Sequence, residues 1–156
     1  MQKITPFLWF DTEAEEAMNF YTSIFKNSKV GQVSRMPEGG PMPAGSVVTA
    51  SFELDGMQFT ALNGGPRFNF TEAVSFFVSC ADQEEVDYHW NKLVEGGEES
   101  QCGWLKDKFG VSWQIIPVTL MRLLSEPDGA KAGRVMQAML QMQKIDVAKL
   151  EAAAAG

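Results

Sequence analysis

Hydrophobic and polar positions along this chain follow two periods, and the two periods recur in the same order twice. Ile4 to Phe10 is a continuous apolar and aromatic run, which predicts a buried strand. Thr12-Glu13-Ala14-Glu15 follows with the pattern of a capping box, in which the Thr12 hydroxyl accepts from a first-turn amide and Glu15 reaches back. Ala14, Ala17, Met18, Tyr21, Ile24 and Phe25 then recur at three- and four-residue steps, the stripe of an amphipathic helix that ends at Asn27-Ser28. Val30 to Met36 predicts a strand, and the Pro- and Gly-rich stretch 37–45 predicts a mobile loop. Val47 to Leu54 and Met57 to Leu62 predict a hairpin closed by Asp55-Gly56.

The pattern then restarts. Val74 to Val78 predicts a second buried strand, and Asp82-Gln83-Glu84-Glu85 repeats the cap-plus-acid signature. Val86, Trp90, Leu93 and Val94 give a second helical stripe, stopped by Gly96-Gly97. Thr12 and Asp82, Glu15 and Glu85, and Phe20 and Trp90 correspond at an offset of about 70 residues. A second hairpin occupies 101–117: Trp104 and Leu105, a turn at Asp107-Lys108-Phe109-Gly110, then Trp113, Ile115 and Ile116. One strand of this half is short or missing, with only Glu99-Ser100 in its place. Two strand-helix-strand-strand-strand units predict a duplicated α+β domain rather than a Rossmann-type sheet. Module one spans 1–66, module two 67–117, and a helical extension 118–156. In that extension Leu120 to Leu124 predicts a short helix, and Val135, Met136, Met139, Leu140 and Met142 form a stripe for core or dimer packing. The alanine-rich end is expected to fray.

Composition narrows the classes. At 45% hydrophobic and 21% charged residues the chain can bury an ordinary core. Its net charge of -7, with basic residues never in a block, argues against a nucleic-acid partner. No apolar run has the length of a membrane span, and Met1-Gln2-Lys3-Ile4 does not start a signal peptide, so no membrane partner is expected. Cys80 and Cys102 suit a reducing cytoplasm and form neither a disulfide framework nor a zinc spacing.

The hairpin at 101–117 concentrates the candidate chemistry. Two tryptophans, a thiol and an amide line a small-molecule cavity as readily as they fill a core. His89, the only histidine, falls within the second helical stripe and reads as a packing residue. Cys80 reads as a small apolar residue at a strand end. No nucleophile elbow accompanies His89, and no Gly-x-Gly loop follows a strand, so neither a hydrolytic triad nor a nucleotide cofactor site is expected.

Ile4-Thr5-Pro6-Phe7-Leu8-Trp9-Phe10-Asp11, the Glu15-Glu16-Ala17…Phe20-Tyr21 helix, Leu62-Asn63-Gly64-Gly65-Pro66, and Gly103-Trp104…Phe109-Gly110…Trp113-Gln114 together resemble the PhnB-like proteins. These belong to the vicinal oxygen chelate superfamily, with glyoxalase I, extradiol dioxygenases and bleomycin-resistance proteins. The resemblance covers nearly the whole chain. It implies two βαβββ modules curled into a half-barrel around a cavity, and a homodimer. Metal-dependent members hold a divalent ion with His and Glu on cavity-facing strands. This sequence offers neutral side chains on those strands, and Gln114 stands where such a member carries Glu, so no metal, cofactor or catalytic residue is assigned.

The pocket expected from this resemblance is lined by Trp9, Asn63, Phe76, Cys102, Trp104, Trp113 and Gln114, and takes a small apolar or aromatic molecule of unknown identity. Two alternatives stay open. One is a metal-independent enzyme acting through Cys102 and Lys106. The other is a 3-demethylubiquinone 3-methyltransferase, a label carried by some members.

Overall fold

A computed structural model describes residues 1–156. The chain divides into two units, Met1–Phe70 and Thr71–Gly156. The first unit runs β1 (Phe7–Phe10), α1 (Ala14–Ile24), β2 (Ser28–Arg35), β3 (Val47–Leu54) and β4 (Met57–Asn63). Its open sheet has the order β1-β4-β3-β2, with β1 and β4 parallel and the other neighbours antiparallel. Asp55 and Gly56 both take positive φ, 49° and 80°, as a two-residue turn between right-twisted strands requires.

The alternation along these strands produces two unlike faces. Leu8, Phe10, Ala50, Phe52, Leu54, Phe59 and Ala61 are buried on the side that carries α1, whose buried face is Ala14, Ala17, Met18, Tyr21 and Ile24. The register sets Phe7 opposite Thr60, Trp9 opposite Leu62 and Ser51 opposite Thr60 on the other side. That side carries no helix of the unit and leaves Phe7 62% exposed.

The entry to α1 differs from the sequence expectation. Glu13 is the N-cap and has no side-chain cap bond, so Thr12 and Glu15 do not form a capping box. Asn63 does the capping from the end of β4: its Oδ1 accepts from the Ala14 amide at 2.9 Å, and its Nδ2 donates to the Val47 carbonyl at 3.1 Å. A buried amide with both ends bonded satisfies a first-turn N–H better than an exposed Thr hydroxyl can. Glu15 instead lies 3.4 Å from Arg35.

The second unit repeats the plan with β5 (Ser75–Cys80), α2 (Gln83–Val94), β6 (Glu98–Glu99), β7 (Trp104–Lys106) and β8 (Ser112–Pro117), in sheet order β5-β8-β7-β6. The shortened strand is the two-residue β6. Here the cap signature holds: Asp82 accepts from the Glu85 amide, and Glu85 accepts from the Ala81 amide. Three helices follow, α3 (Val118–Leu124), α4 (Gly129–Leu140) and α5 (Val147–Ala155). Leu120, Leu123, Val135, Met142, Ile145 and Leu150 form their core together with Ile116 of β8. The alanine-rich end does not fray: Leu150 and Ala154 are buried, and the Arg134 guanidinium donates to the carbonyls of Ala153 and Ala154. Those carbonyls have no intrahelical partner at a helix end, and the guanidinium replaces it. Of the methionine stripe, Met142 joins this core while Met136 and Leu140 stay exposed.

Candidate functional site

The register of the second sheet assigns its side chains to two faces. Phe76, Val78, Leu105, Trp113 and Ile115 alternate onto the face that carries α2. The opposite face is a grid. In one row Ser112 stands between Ser75 and Lys106, and in the next Gln114 stands between Phe77 and Trp104. Strand spacing of about 4.8 Å puts the Phe77 and Trp104 backbones roughly 10 Å apart across Gln114. Phe77 is 51% exposed.

Within the grid the Gln114 Nε2 donates to the Ser75 Oγ at 2.9 Å, and the Lys106 ammonium meets the Glu72 carboxylate at 3.1 Å. The Lys106 hydrogen bond holds the Glu72 carboxyl below its ordinary range. Three of the four indole N–H groups are bonded inside the protein: Trp9 to the Gly65 carbonyl, Trp90 to Glu99 and Trp113 to Asp107. The Trp104 indole has no such bond.

The seven residues expected to line a pocket have the following places within their own units. Trp104 and Gln114 lie directly opposite each other on the open face of the second sheet. Trp9 lies on the open face of the first, where its ring packs on Gly64 with no room for a Cβ there and meets Phe68 edge-on at 4.9 Å. Phe76 and Trp113 turn to the α2 side: their rings are 5.4 Å apart, Phe76 is partly buried, and Trp113 is 3% exposed with its N–H on the buried Asp107 carboxylate at 2.9 Å. Asn63 is consumed by the α1 cap. Cys102 sits before β7 at φ 59°, and its amide and that of Gly103 donate to the carbonyls of Met142 and Gln143. It therefore anchors the C-terminal segment instead of extending the sheet face.

Sequence reasoning passed over Phe77, Ser75 and Ser112. The period-two step along β8 from Gln114 reaches Ser112, whereas Phe77 and Ser75 are found only through the parallel register that pairs Gln114 with Phe77 and Ser112 with Ser75. Cys80 and His89 stay structural. Burial first, then Glu85 and Asp82, pushes the Cys80 thiol up to about 12, and the His89 Nδ1 lies 2.8 Å from the Glu85 carbonyl of its own helix. A surface depression of about 560 Å³ beside α2 and α5 is lined by Gln83, Asp87, Lys144 and Asp146. Its polar groups bond one another: Gln83 joins Asp87, the Ile145 carbonyl and the Val147 amide, and Lys144 joins Asp87.

With two modules of identical strand order in view, the comparisons with known proteins become decisive. Residues 2–116 match the family model described as 3-demethylubiquinone-9 3-methyltransferase. The chain belongs to this PhnB-like family. A PhnB protein from Bacillus cereus is 42% identical over 74% of this chain and 99% of its own, with a TM-score of 0.69. A Pseudomonas aeruginosa protein at 20% identity covers 75% of this chain and 98% of its own, with a TM-score of 0.63. The fosfomycin resistance protein FosX of Listeria monocytogenes, at 16% identity, covers 80% and 98% with a TM-score of 0.56. The likeness to these last two is one of fold alone. No curated protein matches the chain significantly.

The open faces of this PhnB-like chain do not fit the divalent ion held by metal-dependent superfamily members. Phe7 and Thr60 in the first unit stand at the positions of Phe77 and Gln114 in the second, and none of the four brings charge or imidazole to offset dehydration of an ion. No three His, Cys, Asp or Glu side chains converge anywhere in the structure.

Proposed function

We propose that this PhnB-like chain binds a small apolar or aromatic molecule on its open sheet faces, with no resident metal or cofactor. The observation that carries the reading is the second sheet's row of Phe77, Gln114 and Trp104: two aromatic rings flank one amide, and one indole N–H is left unbonded. Ring faces supply apolar contact, and the amide and indole orient a ligand by hydrogen bonds. Trp9 offers a comparable ring on the first sheet.

A homodimer belongs to this reading, since β2 and β6 end their sheets with unpaired edges and Phe7 and Phe77 are exposed. So does a cytoplasmic location, in keeping with two unpaired cysteines. No helix is long and apolar enough to cross a membrane.

Thermal-shift screening of a library of planar aromatic compounds tests the proposal. Stabilisation of the wild type that is lost in Trp104→Ala is the expected result, and a library without a single stabilising compound overturns it. The family description favours methyl transfer as a second reading. Calorimetry with S-adenosylmethionine decides that reading, and absence of binding removes it.

A further inference from the structure

The Ser112 hydroxyl is the one buried side-chain polar atom in the protein without a hydrogen-bond partner. Ser112 is 1% exposed, and its place in the grid is between Ser75 and Lys106, one row from the Trp104–Gln114–Phe77 row. A buried hydroxyl in that condition has lost its bonds to water and gained none in return, and native proteins keep few such groups. Its two neighbours supply complementary donors. Ser75 accepts from Gln114, so the hydrogen of its own hydroxyl remains available to a further acceptor. Lys106 carries a positive charge whose present partner, Glu72, has a side chain 61% exposed. An ion pair that open to solvent exchanges readily for another anion.

We infer that Ser112, Ser75 and Lys106 form an oxyanion subsite next to the Trp104–Gln114–Phe77 row, so that the ligand of this face is an aromatic carboxylate. This rests on the proposed binding role and adds the ligand's class. The ring lies along Trp104 and Phe77, and the carboxylate sits over the neighbouring row. There it accepts from the Ser112 and Ser75 hydroxyls and pairs with Lys106, while Glu72 swings into solvent. An acceptor-only group with two oxygens matches three donors in one row, and charge-assisted bonds of this kind are stronger than neutral ones.

The test is calorimetry with 2-naphthoate and its neutral counterpart 2-naphthamide on the wild type and on Ser112→Ala, Lys106→Met and Glu72→Gln. The wild type is expected to bind 2-naphthoate at least about tenfold more tightly than 2-naphthamide. Lys106→Met removes that preference, Glu72→Gln increases it, and Ser112→Ala weakens 2-naphthoate severalfold. Ser112→Ala without ligand keeps or gains thermal stability, because no internal bond is broken. Equal affinity for the two compounds overturns the subsite while leaving aromatic binding in place. Failure of both to bind also overturns it, and the library screen then judges the broader reading by itself. A marked loss of stability in ligand-free Ser112→Ala overturns it too, since the hydroxyl would then serve the fold.

Discussion

The Trp113 indole N–H donates to the Asp107 carboxylate at 2.9 Å, and both side chains are buried. The other oxygen of Asp107 accepts from the amides of Phe109 and Val111 at 2.9 and 3.0 Å. One carboxylate thereby closes the β7–β8 turn and fixes the phase of β8. With Trp113 held toward α2, Gln114 must face the open side.

Asp107→Ala leaves three donors without their acceptor and is expected to destabilise the protein by about 3–5 kcal/mol. Asp107→Asn keeps one carbonyl oxygen but turns an amide against a donor, at a cost of about 1–3 kcal/mol. Urea midpoints of the two variants and the wild type check the order.

Asn63→Ala removes the cap of α1 and frees the Val47 carbonyl, with an expected loss of about 1–2 kcal/mol. Thr12→Ala should stay within about 0.5 kcal/mol, because Thr12 is exposed and lies outside the cap. Thermal melts of the pair discriminate a cap made from β4 from one made by the local sequence.

The two thiols should respond differently to alkylation. Iodoacetamide at pH 8 is expected to label the half-exposed Cys102 and spare Cys80, as peptide mass spectrometry would show. Because the folded Cys80 holds its proton up to about 12, while an unfolded thiol loses it near 8.5, stability is whole below about pH 8.5 and declines as pH rises from there. Cys80→Ala flattens that decline in urea unfolding measured between pH 8 and 10.

Asp87 works in the opposite direction. The Gln83 amide, and after it Lys144, hold its carboxyl below the ordinary range. Its contribution to stability is therefore present above the ordinary carboxylate value of about 3.9 and is lost as pH falls through the lower folded value. Asp87→Asn should reduce the acid sensitivity of the second unit below about pH 4, followed by far-ultraviolet circular dichroism.

Local signals carried much of the architecture. Asp55-Gly56 announces its turn because few residue pairs tolerate positive φ twice, and the helical stripes of α1 and α2 need only three- and four-residue neighbours to be read. The repeat, the short β6 and the family resemblance are likewise properties of order along the chain. Which of two adjacent residues enters a site is another matter. In Ser75-Phe76-Phe77-Val78 both phenylalanines suit either face, and the phase comes from pairing with β8 under α2. A shift by one residue would exchange the two faces.

The candidate site shows the same division. The presence of Trp104 and Gln114 in a hairpin, and the absence of acidic and imidazole side chains from β5, β7 and β8, were legible in the sequence. That Asn63 caps a helix 49 residues earlier, that Trp113 answers to Asp107, and that Ser112 is buried without a partner were decided by the tertiary structure. Periodicity reports how a residue relates to its near neighbours, whereas hydrogen-bond partners and burial depend on segments that only the folded backbone brings within 3 Å.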